Sequence, residues 1–185
     1  PSKFNPKMPF TEMLFYYGIG ANVMPSRTNY VDESGETLKD PIIEFTKQLR
    51  QTSESENWKL AKKLDPKNRV FIPIVVRGEE SEGVKLWQFG KLVHEAFLQM
   101  AADEEIGDFT DVTGGLDFTA ETVGPESTGT QYNKTSIRAK RQNSPLSEDA
   151  TQVETWLNTQ PNPLEQFKNY TFDEMKDALR RYLEP

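Results

Sequence analysis

The run Val70-Phe71-Ile72-Pro73-Ile74-Val75-Val76 constrains the fold more than any other part of the chain. It is too short for an ordinary helix and too rich in β-branched residues, so it is a strand. Pro73 has no N–H to give to a ladder, which predicts an edge position or a bulge. Residues 79–83 are polar, acidic and closed by Gly83, and Val84-Lys85-Leu86-Trp87-Gln88-Phe89 returns as the partner strand. A β-hairpin over 70–89 is therefore the first fixed element.

The surroundings of that hairpin are basic and aromatic. Trp58-Lys59-Leu60-Ala61-Lys62-Lys63 precedes it, with Lys67 and Arg69 at its entrance, Phe71 and Arg77 on its first strand, and Lys85, Trp87, Phe89 and Lys91 along its second. Cations interleaved with aromatic rings on β-rich segments are the composition of a groove that tracks a phosphate backbone and stacks bases. Over residues 46–91, Lys and Arg outnumber Asp and Glu, and residues 127–147 hold Lys134, Arg138, Lys140 and Arg141 with no acid. The formal net charge of the 185 residues is −7, so a nucleic-acid function must rest on where the charge sits rather than on its total. Two basic islands in an acidic chain predict one focused cleft.

The rest of the chain reads as α+β. Residues 10–19 are aromatic-rich and form a buried strand ended by Gly18 and Gly20. Asp40-Pro41 starts a helix with Ile42, Phe45 and Leu49 as its inner stripe. Ser53-Glu54-Ser55-Glu56 fits a capping box for a second helix that Asp65-Pro66 stops, and Lys59, Lys62 and Lys63 share one of its faces. Residues 90–102 are helical, with Leu92, Val93, Ala96, Phe97 and Met100 inward. Residues 103–115 are loop. Residues 116–123 and 131–139 alternate with the two-residue period of strands across a Gly/Pro/Ser turn. Ser147 caps a helix containing Val153, Trp156 and Leu157. After Pro161-Asn162-Pro163, residues 164–183 are helical, with a second capping box at Thr171-Phe172-Asp173-Glu174. Strands in the middle and helices at the end give an α+β or small-barrel-plus-helices pattern without internal repeats.

Several classes drop out on composition. No run reaches the roughly 18 apolar residues of a membrane helix. There is no signal-peptide pattern, and the start at Pro1 without a methionine reads as the interior of a longer chain. Zero cysteines exclude disulfides and thiolate metal sites. The single histidine, His94, reads as a surface or half-buried side chain rather than a ligand.

Taken together, Glu82-Gly83-Val84-Lys85-Leu86-Trp87-Gln88-Phe89-Gly90-Lys91, Leu60-Ala61-Lys62-Lys63, Asp111-Val112-Thr113 before a strand, Tyr132 after a Gly-rich turn, and the opening Pro1-Ser2-Lys3 resemble the helix-destabilising single-stranded-DNA-binding protein of T-even-like bacteriophages. The resemblance covers nearly the whole chain in order. It implies an OB-fold-like small β-barrel over residues 1–185, with an adjoining helical subdomain at 20–66 and C-terminal helices at 147–185. It also implies non-enzymatic coating of single-stranded DNA in replication, recombination and repair, in the cytoplasm of an infected bacterial host. Replication and recombination proteins are the implied further partners, and self-association on DNA is possible within the family.

The sequence departs from the family at its zinc site. One histidine and three cysteines hold the metal in the family; Tyr17, Met24, Asp40 and Ile43 stand at those positions, the last two within Asp40-Pro41-Ile42-Ile43. A lone aspartate does not make a four-ligand site, so no zinc cofactor is expected and apolar packing is expected to take its place. The family's basic N-terminal cooperativity segment, its acidic C-terminal tail and a first barrel strand have no counterpart in this sequence.

Each candidate has a structural alternative. Trp87 alternates with Leu86 and Phe89 on a strand and is as readily core as stacking surface. Trp58 lies on a short amphipathic helix, where tryptophan is more often core. Phe71 is equally a core residue. Tyr132, among Gln131, Asn133 and Lys134, reads as exposed. An enzymatic reading would place a metal on Asp103, Glu104, Glu105, Asp108 and Asp111, but no histidine or lysine partner accompanies them and a solvated acidic loop explains them. The competing class is an acidic protein-interaction module using the C-terminal helices.

Overall fold

Strand β1 (Thr11–Tyr17) buries Met13, Phe15 and Tyr16 and turns Tyr17 outward. The chain then reverses through Gly18 and Gly20 into the short β2 (Val23–Pro25), which pairs antiparallel with β1. Gly20 has φ +74°, and a Cβ there would lie 2.8 Å from that of Ala178, so the close approach requires glycine. The computed structural model describes residues 1–184. These form two units by contact, one of Pro1–Thr11 with Val70–Pro161 and a second of Glu12–Arg69 with the residues from Asn162 onward.

In the second unit, helix α1 (Pro41–Arg50) starts as expected: the Asp40 carboxylate accepts from the N–H groups of Ile42 and Ile43, with proline at the first helical position. Helix α2 (Ser55–Leu64) starts differently. Its N-cap is Glu54, without a side-chain cap bond, so the box expected at Ser53–Glu56 does not form; the Asn57 amide instead donates to Thr52 and Glu54.

Strand β3 (Lys67–Ile74) and strand β4 (Lys85–Phe89) pair antiparallel from Val70 with Phe89 to Ile74 with Lys85. Together with β1 and β2 they make a curled four-stranded antiparallel sheet of order β2-β1-β3-β4. Pro73 therefore lies on an inner strand and not on the edge. It stands opposite Leu86, next to the end of β3.

Helix α3 (Lys91–Ala101) buries Val93 and Phe97, one helical turn apart. Leu92, expected inward, is 72% exposed because it falls off that seam in the first turn. Strand β5 (Leu116–Val123), the short helix α4 (Pro125–Thr128) and strand β6 (Lys134–Asn143) form a separate two-stranded antiparallel sheet. Helix α5 (Ala150–Asn158) is capped by Asp149; Ser147, the expected cap, accepts from the Asp149 N–H. The helix expected over 164–183 is two elements. A 3₁₀ turn at Pro163–Gln166 stops, and α6 (Phe172–Leu183) begins anew at the reciprocal Thr171–Glu174 capping box. Helix α5 belongs to the first unit and α6 to the second.

Each unit has its own core. In the second, Tyr16, Ile19, Met24, Ile42 and Leu64 meet Met175, Ala178 and Leu179 of α6. In the first, Phe10, Val70, Ile72, Phe89, Val93, Phe97 and Phe109 cluster, with the Phe97 ring 5.5 Å from that of Phe89 and 5.2 Å from that of Phe118. Each such side chain contributes about 1.5–3 kcal/mol when fully buried. Among the described residues no helix is long and apolar enough to cross a membrane.

Candidate nucleic-acid interface

On the second unit, α2 buries Ala61 and Leu64, and that seam turns Lys59, Lys62 and Lys63 to solvent. Lys59 is tied to Glu56 at 2.7 Å, an exposed pair of little energetic consequence. Trp58 is 52% exposed, with the Arg50 guanidinium 5.9 Å from its ring centroid. Arg50 also binds Asp65 at 2.6 Å, which ties the C-terminal end of α1 to the C-cap of α2. At the start of β3, Lys67 is exposed and Arg69 lies over the ring of Tyr17 at 5.3 Å. Tyr17 is 40% exposed and was not among the sequence candidates. Alternation does not mark it, because Tyr17 shares the parity of the buried Met13 and Phe15; its place at the strand end, before Gly18, is the signal that could have found it.

On the first unit, β6 is two-faced over its first half, while its partner β5 does not alternate. Ile137 and Phe118 join the core, and on β6 the exposed residues Lys134, Ser136, Arg138 and Lys140 alternate with the half-buried Thr135, Ile137 and Ala139. Beyond Ala139 the pairing with β5 shifts, alternation stops and Arg141 is exposed as well. At the tip Tyr132 is 70% exposed, its backbone held by the Thr128 and Thr130 hydroxyls, both of which donate to its carbonyl. Among the described residues Lys62, Lys63, Lys67, Lys134, Arg138, Lys140 and Arg141 form no ion pair.

Other candidates have structural employment. Phe71 and Phe89 are buried, 4% and 6% exposed, and present no ring to a ligand. Trp87 lies on the same face of β4 as Phe89, half-buried, with ring centroids 4.9 Å from Phe89 and 6.1 Å from Phe97. It edges the core rather than standing free of it. Arg77 makes a bidentate pair with Asp117 at 2.9 Å and donates to the carbonyls of Leu146 and Pro145. That carboxylate raises its already high pKa further. Lys85 sits between Glu79 and Glu82, whose hydrogen bonds raise its pKa, and Lys91 pairs with Glu95. His94 is half-buried with its ring 5.0 Å from Phe10.

The positions that answer to the family's zinc ligands do not fit a metal. Tyr17 faces outward under Arg69, while Met24 and Ile42 lie in the apolar core with Ile43 packed against it. Asp40 is buried with both oxygens in use: Oδ1 accepts from Ile42 and Ile43, and Oδ2 from the Ser26 hydroxyl at 2.6 Å and the Arg27 N–H at 3.0 Å. The neighbouring Tyr16 phenol is pushed well above its ordinary range, first by burial and then by the Asp40 charge. In the acidic loop, Asp103, Asp108 and Asp111 cap their own turns, and backbone N–H groups of Gly114 and Thr113 hold Asp111 below the usual carboxylate range. Comparison of the chain with known protein families, curated proteins and solved structures gives no match.

Proposed function

We propose that this protein binds single-stranded DNA without strong sequence preference, as a non-enzymatic binding protein of phage-type replication, recombination and repair acting in the host cytoplasm. The observation that carries this reading is the exposed face of β6, where Lys134, Arg138 and Lys140 form no ion pair among the described residues and follow the exposed Tyr132 of the hairpin tip, on a chain of net charge −7. Cations tracking a backbone and rings stacking on bases give affinity with little regard to sequence. Lys62, Lys63 and Lys67, with the exposed Trp58, give the second unit the same pairing of charge and ring. The curled sheet suits an OB-like barrel, a fold that binds single strands. Apolar packing of Met24 and Ile43 takes the place of the zinc of the resembled family.

The test is a titration of fluorescent oligo-dT, a mixed-sequence strand and its duplex. Similar affinity for both single strands and weaker binding of the duplex is expected. No binding of any of the three would leave the acidic interaction module as the function.

A further inference from the structure

Residues two apart on a strand face the same way and recur about every 7 Å. That step matches the spacing of successive phosphates along an extended single strand. Lys134, Ser136, Arg138 and Lys140 occupy four consecutive positions of this kind on the outer face of β6. We infer that one DNA strand runs along β6 with one phosphate per two residues, met in turn by these four side chains, and leads to Tyr132 at the hairpin tip. The inference deepens the single-stranded-DNA reading and rests on it.

The face is fixed from its other side. Ile137 and Phe118 join the core, and the Thr122 and Thr135 hydroxyls bond across the two strands at 2.7 Å on that same face. A one-residue slip would turn the row inward, so the register is held by the core. The row has one rung without a cation. Ser136 pairs with Glu121 of β5, whose carboxylate projects on the outer face next to it. At that rung a hydroxyl meets the phosphate, and an acid stands beside it. Lys140 follows Ala139, the last residue paired before the register shifts, and closes the row; Arg141 is one residue out of the two-residue phase.

The test uses the whole chain and oligo-dT over a range of salt. Glu121→Gln with Ser136→Lys supplies the missing rung, and the slope of log affinity against log salt should steepen by about 0.7, the value for one more phosphate of a single strand. Glu121→Gln with Gln99→Lys is the control, adding the same charge on the exposed side of α3. It should leave the slope near that of Glu121→Gln alone. Lys134→Ala and Arg138→Ala should each lower the slope by a similar step. Equal slopes for Ser136→Lys and Gln99→Lys, each combined with Glu121→Gln, would overturn the row. If Lys62→Ala and Lys63→Ala still lower the slope in that case, DNA binding stands and only its path over β6 is wrong. A wild-type protein without salt-dependent binding removes both.

Discussion

Ser136 and Glu121 stand directly opposite each other on the outer face of the β5–β6 hairpin, an acid placed between the cations Lys134 and Arg138. This carboxylate repels any phosphate that the neighbouring cations attract. Glu121→Gln should therefore tighten oligo-dT binding several-fold at low salt, with the gain shrinking as salt screens the charge. Unchanged affinity in a low-salt titration would move the DNA off this face.

Tyr132 and Trp87 are predicted to separate binding from stability. Tyr132 touches no core cluster, and stacked bases contribute about 1–3 kcal/mol each by alanine substitution. Tyr132→Ala should weaken binding about tenfold with its melting temperature intact. Trp87→Ala removes a half-buried ring from contact with Phe89 and Phe97 and should cost about 3 kcal/mol of stability. Thermal melts run beside DNA titrations check both; an early-melting Tyr132→Ala and a stable, weakly binding Trp87→Ala would reverse the assignment.

Asp40 carries the α1 end of the second unit. Asp40→Ala deletes an N-cap, takes the carboxylate acceptor from the Ser26 hydroxyl and strands the Arg27 N–H, for a loss of about 2–4 kcal/mol in denaturant unfolding. The wild-type fold should be indifferent to metal: dialysis against a chelator leaves the melting temperature unchanged. Stoichiometric zinc in the purified protein would contradict the apolar replacement of the metal.

Glu174 links α6 to pH. Its hydrogen bond to Lys168, at 2.7 Å, and the Thr171 N–H hold its carboxyl below the usual range. A depressed folded-state pKa gives stability that is present above the unfolded value, about 4.3, and lost as pH falls through the folded one. Wild type should thus be more stable than Glu174→Gln at neutral pH, with the difference vanishing in acid. Thr171→Ala, which removes the other half of the box, should cost about 1 kcal/mol. A gap between wild type and Glu174→Gln that does not shrink as pH is lowered from neutral through the carboxyl range would show that the carboxylate charge is not what stabilises this end.

Much of the local structure was legible in the sequence because its signals are local. Asp40-Pro41, the Thr171–Glu174 box and the strands around 70–89 formed as their spacing dictates. What was not legible depends on partners distant in the chain. Arg77 resembles a phosphate ligand until Asp117, forty residues on, is seen to hold it. Trp87 and Phe71 sit in the same basic aromatic stretch as Trp58, and only packing shows that Phe71 is buried, Trp87 half-buried and Trp58 exposed. The failed box at Ser53 shows that a fitting quartet of residues does not form when the helix begins one residue away from where the box needs it.

Binding of oligo-dT across a series of salt concentrations tests the central claim most directly. If the unpaired cations meet phosphates, log affinity falls linearly with log salt at about 0.7 per phosphate neutralised, and a few contacts give a slope of a few units. Affinity that stays flat from low to moderate salt, or no binding at low salt, would contradict it.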